Sequence, residues 1–252
     1  MRAMHGVDVV YHLALADSFD DFKALIANLE GANNLLVAAL NVKVKHFLFA
    51  SSGAVYGGVR RPVIDEDHPL YPEESMIRGK WYPITKLATE KLCMHYYHQH
   101  GLPVTALRLG AVYFNVKWIA EPYVSKALKE EEIVVLENEW EEYIHVDDVA
   151  EALLLATLNE KAYGEIFNIT NPYLSISEKE LVETIVKTLN SKSKIEVVEG
   201  LPFKAETSIA KAEKLLKFKP KKGKKHFMKL LKEYLEAIIG KNDAGKRGLW
   251  KT

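Results

Sequence analysis

Very little in this sequence points to covalent cross-links, metal clusters or membranes. Its 252 residues contain one cysteine, Cys93, which excludes an intramolecular disulfide and any zinc or iron–sulfur site built from several cysteines. Lysine plus arginine (34) equals aspartate plus glutamate (34), so bulk charge favours neither nucleic acid nor a membrane as a partner. No apolar run approaches the ~18 residues of a membrane span, and no signal peptide precedes the first apolar run. We therefore expect a cytoplasmic protein without a nucleic-acid or membrane partner.

Strand-like and helical patterns alternate in the first part of the chain. Apolar runs at residues 7–13, 44–52 and 104–109 predict buried strands, and apolar residues spaced three and four apart predict helices at 20–40 and 83–100. Apolar strands separated by helices indicate a parallel sheet covered on both faces. Such a sheet binds its ligand at the carboxyl ends of its strands, so we look for chemistry in the segments that follow them. Those segments are Leu13-Ala14, Ser51-Ser52 and Gly110-Ala111.

The alternation becomes looser after Ala111. Ser177 followed by Glu180 forms a capping box, which predicts the start of a helix. No internal repeat or low-complexity linker divides this region. Its predicted elements are helices at 121–129, 146–158, 177–189 and 225–239 and strands at 133–136 and 166–169.

The strongest chemical signal is a serine at a strand end followed by Tyr82-x-x-x-Lys86 at the start of a helix. A spacing of four places Tyr82 and Lys86 on one helix face, where the ammonium favours the phenolate form of the tyrosine. Such a tyrosine exchanges a proton with a substrate hydroxyl or carbonyl, and Ser52 can hydrogen-bond the same oxygen. Lys86 can also reach the ribose hydroxyls of a nicotinamide nucleotide. The motif alone is weak, but its place in a parallel α/β pattern makes it a strong prediction of hydride-transfer chemistry.

These motifs resemble those of the extended short-chain dehydrogenase/reductases, the NAD-dependent epimerase/dehydratase group, and the resemblance runs from Gly6 to about Tyr234. Residues 7–14 resemble the family's fourth strand, and 28–36 resemble its Asn-x-x-Gly-Thr-x-Asn-Leu-Leu helix. Residues 108–113 resemble its Arg-x-x-Asn-Val-Tyr segment, and 143–150 its Tyr-Ile-His-Val-x-Asp-Val-Ala segment. The implied fold is α/β: a Rossmann-like, doubly wound parallel sheet over 1–114, truncated at its N-terminus. A small α+β substrate-binding part follows over 115–252, from which 143–170 returns to the core.

The resemblance also implies the site residues and partners. The catalytic set would be Ser52, Tyr82, Lys86 and Asn28. The cofactor would be NAD, with NADP still open, bound by Leu13, Ala14, Asn28, Ala50, Ser51, Tyr82 and Lys86. The substrate, a nucleotide sugar, would be contacted by Ser52, Tyr82 and Ala111, with no metal ion. The protein would be a homodimer through the helices at 20–40 and 83–100.

The residues after Ser52 distinguish between reactions of this family. Gly53-Ala54 stand where the family's 4,6-dehydratases carry Asp-Glu and its decarboxylases keep a glutamate, so both reactions are disfavoured. In a 4-epimerase, Tyr82 would remove a hydroxyl proton while NAD takes the hydride, which returns to the other face of the keto-sugar. Two alternatives stay open. One is a simple NAD(P)-dependent carbonyl reductase with the same three residues, and the other is a non-catalytic or cofactor-sensing relative that acts through protein contacts.

The sequence departs from the family pattern at its front. No Gly-x-x-Gly-x-x-Gly loop occurs, so we expect about two βαβ-sized pieces, on the order of 60 residues, to be missing from the fold. The acidic residue that decides between NAD and NADP would be missing with them, and an apolar sheet edge would be exposed. Met1 would be an internal methionine of a longer gene, or a partner would supply the rest, or the chain would fold anyway and bind cofactor poorly.

Two departures concern the substrate side. Ala111 replaces the family's asparagine, and Glu141 replaces an arginine that contacts the substrate diphosphate, which weakens the nucleotide-sugar interpretation. Several other polar residues are interpreted as structural. They are His12 and His145 as core histidines, Asp147 and Asp148 as helix N-terminal charges, and the lysine-rich segment 211–225 as a solvated face.

Overall fold

A parallel sheet and two groups of helices around it dominate the computed structural model, which describes residues 2–16, 21–75, 81–138, 140–200 and 203–248. The strands are β1 (Val9–His12), β2 (His46–Ser52), β3 (Val63–Ile64), β4 (Val104–Leu109), β5 (Ala111–Tyr113), β6 (Ile133–Leu136), β7 (Trp140–His145), β8 (Glu165–Ile169), β9 (Ser175–Ser177), β10 (Ile195–Val198) and β11 (Glu206–Thr207). The helices are α1 (Phe22–Asn41), α2 (Tyr82–His100), α3 (Lys117–Leu128), α4 (Val146–Ala156), α5 (Glu178–Thr188), α6 (Ala210–Leu216) and α7 (Lys224–Gly248).

The main sheet has the strand order β1-β2-β4-β8, and every pair in it is parallel. β2 is buried along almost its whole length because it lies between two strands and under helices on both faces. Within the described residues β1 pairs with β2 alone, and Leu13, which follows it, is 54% exposed. The predicted Rossmann-like α/β fold is confirmed by this sheet.

Helices cover both faces of the main sheet. On one face, α1 and α2 contribute Leu36, Ala39 and Cys93 to a core that includes Phe47 and Phe49 of β2. On the other face, α4 and α6 pack against the remaining side chains of the same strands. That core includes Leu48, Leu107, Ala152, Ala156, Ala212 and Leu216. The alternation of β2 side chains between the two cores is the expected result of a strand buried on both sides.

A second core lies under the later part of the chain. It joins α3, α5 and α7 to the two-stranded sheet β10-β6, with Ile133, Val182 and Leu231 fully buried. A third sheet, β5-β7-β9, connects this core to the main sheet, because β5 directly follows β4. Residues 203–222 return to the main sheet, because α6 packs on it.

Most predicted elements are present, with some boundaries shifted. The helix predicted at 121–129 begins earlier, at Lys117, with Pro122 inside it. Because a proline within a helix removes one hydrogen bond, Pro122 is expected near the start of a helix. The sequence therefore did not indicate the additional turn that precedes it. The helix predicted at 146–158 ends at Ala156, and the last helix continues to Gly248. Ser177 caps α5 as predicted, its Oγ accepting the Glu180 N–H at 3.1 Å.

No described helix combines the length and the apolar character that crossing a bilayer requires.

Candidate active site

The carboxyl ends of β1, β2 and β4 meet at one edge of the main sheet. His12 of β1 is paired with Phe49 of β2, and Ser52 of β2 is paired with Leu109 of β4. Leu13 and the exposed Ala14 therefore leave β1 beside the last residues of β2. This is the edge at which a parallel sheet binds its ligand.

Lys86 is anchored to the end of β2. Its side chain is only 5% exposed, and its Nζ donates to the Ala50 carbonyl at 2.7 Å. The same ammonium lies 5.2 Å from the ring centroid of Phe49 and 5.8 Å from that of Tyr82. Tyr82 is the first residue of α2, one turn before Lys86, and it is almost fully buried. The predicted pair thus shares a helix face, with the ammonium near the tyrosine ring.

The start of α2 is well defined. Thr85 donates to the Trp81 carbonyl through both its backbone N–H (2.8 Å) and its Oγ1 (2.7 Å). Pro83 lies in the first turn, where its missing N–H has no helical partner to lose. These features fix the first turn of the helix and with it the position of Tyr82.

Ser52 is at the last position of β2. Its Oγ accepts the Ala54 N–H at 3.2 Å and caps a 3₁₀ turn at Gly53–Tyr56. The residue is half-buried, and α2 packs against the turn that it caps. Ser52, Tyr82 and Lys86 thus come from two elements that meet at the end of β2.

Asn28 supports the loop after β1, and His12 lies buried at the end of that strand. The Asn28 Oδ1 accepts the Ala16 N–H at 2.8 Å, so this side chain, on α1, holds the segment that leaves the strand. His12 is buried, 5.5 Å from the Phe49 ring between centroids. Burial, helped by the nearby Lys86 charge, lowers the pKa of His12, which therefore favours the neutral form. This placement agrees with the interpretation of His12 as a core histidine.

A buried polar network that the sequence did not predict lies behind these residues. Ser51 Oγ donates to Glu90 Oε2 at 2.9 Å, and Arg108 binds both oxygens of Glu90, from Nε at 3.0 Å and from Nη2 at 2.8 Å. Arg108 Nη1 also donates to the Tyr56 hydroxyl at 2.9 Å, and that hydroxyl donates to Asn168 Oδ1 at 2.6 Å. One signal was available: an arginine inside an apolar strand needs a buried partner.

The network continues into the loop between β2 and α2. The Glu66 carboxylate accepts the backbone N–H of Asn168 at 2.8 Å, and the Glu66 carbonyl accepts from Arg108 at 3.2 Å. Burial raises the pKa of Glu66, and burial also raises the pKa of Tyr56 to about 12. Tyr56 therefore stays protonated and remains a donor at every ordinary pH.

On the substrate side, Ala111 is half-buried and begins β5. The side chain of Glu141 lies outside the described residues. The next residue, Glu142, accepts the Thr207 N–H at 2.7 Å, and burial raises the pKa of its carboxyl. Glu142 thus ties β7 to β11.

The polar residues at the start of α4 have structural partners. His145 caps this helix by accepting the Asp147 N–H at 3.2 Å. Asp148, which was expected to be only a helix N-terminal charge, is buried and accepts the N–H groups of Lys221 (2.9 Å) and Lys222 (3.1 Å). The lysine-rich segment is also paired within the chain. Its ion pairs among the described residues are Lys211–Glu165 (2.6 Å), Lys221–Glu151 (2.6 Å), Lys222–Asp147 (3.6 Å) and Lys224–Glu180 (2.7 Å).

Comparisons with known proteins define the family. A protein-family model described as the NAD dependent epimerase/dehydratase family matches residues 1–170. The UDP-N-acetyl-alpha-D-glucosaminuronate decarboxylase of Bacillus cytotoxicus is 34% identical, over 75% of this chain and 61% of that protein. The human dTDP-D-glucose 4,6-dehydratase is 28% identical, over 75% of this chain and 56% of that protein. The UDP-glucuronate 4-epimerase of Thermodesulfobacterium geofontis is 26% identical, over 93% and 75%. The chain belongs to the NAD-dependent epimerase/dehydratase family.

Solved structures support the same fold. Pal from Bacillus thuringiensis aligns with a TM-score of 0.73 and 25% identity, over 92% of this chain and 77% of that one. The UDP-glucuronic acid 4-epimerase of Bacillus cereus, in complex with UDP-glucuronic acid and NAD, aligns with a TM-score of 0.75 and 21% identity, over 94% and 78%. The predictions of an enzyme family and of NAD as the cofactor of that family are therefore confirmed. The chain spans 61% and 56% of the lengths of the decarboxylase and the human dehydratase.

Proposed function

We propose that this protein is an NAD-dependent 4-epimerase of a nucleotide sugar. One observation carries the proposal: the buried Lys86 ammonium donates to the Ala50 carbonyl at the end of β2. Lys86 lies one helical turn after Tyr82 in α2, and Ala50 lies two residues before Ser52 in β2. This arrangement offers an acid/base, a cation that favours its ionised form, and a hydroxyl, all at the ligand-binding edge of the sheet.

The end of the sheet suits one half of the cofactor. Leu13 and Ala14 leave exposed surface beside β2, and the Lys86 ammonium lies at the same edge, which fits the nicotinamide and its ribose. No Gly-x-x-Gly-x-x-Gly occurs in the 252 residues, so this chain offers no such loop for the pyrophosphate. When bound, NAD supplies a hydride acceptor that can return the hydride to either face of the sugar.

The residues of the chain then have distinct tasks. Tyr82 removes the proton of the sugar hydroxyl and later gives it back. Lys86 favours the phenolate that makes this possible and holds the ribose, while Ser52 hydrogen-bonds the reacting oxygen. Asn28 keeps the loop after β1 in place beside the cofactor, through its bond to Ala16.

The absence of extra carboxylates after Ser52 supports epimerisation. Gly53 and Ala54 begin the 3₁₀ turn and carry no acid or base. The buried carboxylate of Glu90 is bound to Ser51 and Arg108, so it is engaged inside the protein. Elimination of water needs a further acid and base at the substrate, which these residues do not supply.

Decarboxylation is the second candidate, because the relative that is 34% identical carries that name. UDP-glucuronate separates the two reactions, since an epimerase keeps the carboxylate of the product and a decarboxylase releases it as CO₂.

The test is to incubate the purified protein with NAD and UDP-glucuronate, or with UDP-glucose, and to identify the product by proton NMR. We expect the C4 epimer with no loss of carbon. Release of CO₂ would contradict this proposal and show that the protein is a decarboxylase. If NADH titration shows no saturable change in nicotinamide fluorescence and no sugar is converted, the non-catalytic alternative replaces it.

A homodimer through α1 and α2 belongs to the same proposal. Three exposed apolar side chains lie on the same face of α1. They are Phe22, Ile26 and Val37. An exposed apolar stripe of this kind is typical of a helix that packs against a partner. A second copy of the chain is the partner we propose.

A further inference from the structure

We infer that the hydrogen bond between Ser51 and Glu90 is a positioning device for Lys86, an inference that rests on the proposed function. α2 contacts the end of β2 at two successive points. Lys86 Nζ donates to the Ala50 carbonyl at 2.7 Å, and one turn later Glu90 accepts from Ser51 at 2.9 Å. Ala50 and Ser51 are neighbours, so the second contact fixes the peptide whose carbonyl receives the lysine.

The side chain of Ser51 is dedicated to this task. The residue is 2% exposed, and its hydroxyl points to a carboxylate that is itself 0% exposed. The hydroxyl is therefore engaged inside the protein, between β2 and α2. A hydroxyl that donates to an ionised carboxylate makes a short, strong bond with a defined direction.

Glu90 in turn is held by a clamp from the neighbouring strand. Arg108 of β4 donates to both carboxylate oxygens, and it is anchored at its other end by the Tyr56 hydroxyl. Burying two opposite charges usually gives little stability relative to an apolar pair. The geometry points to another use for this pair. Arg108 holds the Glu90 carboxylate in place, and Glu90 orients the Ser51 hydroxyl. The bond to Ser51 in turn fixes the peptide whose carbonyl accepts from Lys86.

The consequence concerns the ammonium near Tyr82. Without the Ser51–Glu90 bond, the Ala50–Ser51 peptide is held by its neighbours in the sheet alone. The position of the Lys86 ammonium beside Tyr82 is then less closely fixed, and its effect on the tyrosine weakens. Proton transfer to and from Tyr82 is then less favoured. A role confined to stability would instead lower the unfolding midpoint and leave the pH dependence of turnover unchanged.

The test compares wild-type protein with Ser51→Ala, and with Ser191→Ala as a matched control. Ser191 donates to the Ala127 carbonyl at 2.6 Å in the second core, far along the chain from the site. For each protein, kcat, KM and the pH profile of kcat are measured with UDP-glucuronate, or with UDP-glucose if that is the sugar that wild-type protein converts. The thermal unfolding midpoint is measured for the same proteins. For Ser51→Ala we expect about a tenfold lower kcat, a KM within about twofold, and an acid limb of the kcat profile moved to higher pH. Ser191→Ala should keep the wild-type profile.

Ser51→Cys gives an independent reading should Ser51→Ala fold poorly, since the thiol keeps the volume but donates weakly. Its acid limb should fall between those of wild type and Ser51→Ala. A wild-type kcat and pH profile in folded Ser51→Ala or Ser51→Cys would overturn the positioning role alone. Wild-type protein that converts no nucleotide sugar would overturn the proposed function, and with it this inference.

Discussion

Arg108 and Glu90 place two full charges inside the protein, at 3% and 0% exposure. The free-energy cost of removing these charges from water is offset only while both residues are present, because each is the ion-pair partner of the other. Burial lowers the pKa of Arg108, but the hydrogen bonds and charge of Glu90 raise it by more, so the guanidinium stays protonated. The surroundings of Lys86 therefore depend on two residues that are almost completely shielded from solvent.

We predict that Arg108→Met lowers the free energy of unfolding by about 3–5 kcal/mol, because it leaves the Glu90 carboxylate buried without its cation. The double variant Arg108→Met/Glu90→Leu should recover most of that loss, since it removes both charges. Urea unfolding of the three proteins measures the difference. Equal losses in the single and double variants would contradict this view of the pair.

At the same scale, the sequence associated Tyr82 with Lys86 but did not indicate the residues that support them. Tyr82 and Lys86 lie one turn apart, so local helical spacing was enough to associate them. The supporting network joins Glu90 to Ser51, 39 residues away, and Tyr56 to Asn168, 112 residues away. No local pattern encodes such partners, because the fold alone brings them together. Asn28 was named as a catalytic residue by resemblance, and the structure shows the loop contact that it makes.

Among the elements, the turn after β2 depends on a glycine. Gly57 has a φ of +59°, and a Cβ added there would lie 1.6 Å from the Tyr71 carbonyl oxygen. Gly57 and Tyr71 form a parallel bridge that closes the loop between β2 and α2. Gly101, after α2, also has a positive φ (+67°), but a Cβ there would meet nothing within 4 Å.

This contrast gives a matched pair of variants. Gly101→Ala should cost about 1 kcal/mol, the penalty of a left-handed backbone for a residue with a Cβ. Gly57→Ala should cost clearly more, since Tyr71 and its neighbours must move as well. Thermal or urea unfolding compares them, and a Gly57→Ala variant as stable as Gly101→Ala would show that the loop is not fixed at this bridge.

The long elements were predictable and the short ones were not. β4 was predicted with the bounds that it has, and α2 differs by one residue, because long periodic segments carry a strong signal. β3 and β11 are two residues each and pair with one another across the fold, so no periodicity could reveal them. α6 was missed inside the lysine-rich segment, where its charges hid the apolar face formed by Ala212 and Leu216.

For the whole molecule, stability should fall on the acid side because of one buried histidine. His46 is fully buried at the start of β2, its Nδ1 accepts the Leu158 N–H at 3.0 Å, and burial lowers its pKa from 6.5 to about 4. The folded state therefore favours neutral His46, a contribution that is complete above pH 6.5 and is lost as the pH falls towards 4. The loss should be on the order of 3 kcal/mol.

The measurement is the free energy of unfolding between pH 7 and pH 4 for wild type, His46→Gln and His95→Gln. Burial raises the pKa values of Glu66 and Glu142, which act in the opposite direction but are common to all three proteins. His46→Gln should show a shallower decline than wild type, whereas the exposed His95→Gln should keep the wild-type slope. Parallel curves for wild type and His46→Gln would refute the assignment to His46.

The proposed dimer makes a prediction at the same scale. Ile26→Lys places a charge in the exposed apolar stripe of α1, so it should convert a dimer to a monomer in light scattering. Leu154→Lys alters an apolar residue on α4 that is even more exposed (69% against 39% for Ile26), and it should leave the mass unchanged. A wild-type protein that is monomeric throughout would contradict the dimer.

The central claim is that Tyr82 is the acid/base of an enzyme, and Tyr82→Phe tests it most directly because it removes one hydroxyl and keeps the ring. The control is Tyr163→Phe, whose ring packs on His46 at the opposite end of the sheet. With nucleotide-sugar conversion as the readout, Tyr82→Phe should lose about 10²–10⁴-fold in kcat while unfolding at the wild-type midpoint, and Tyr163→Phe should stay active. A folded Tyr82→Phe protein that turns over at the wild-type rate would contradict the account.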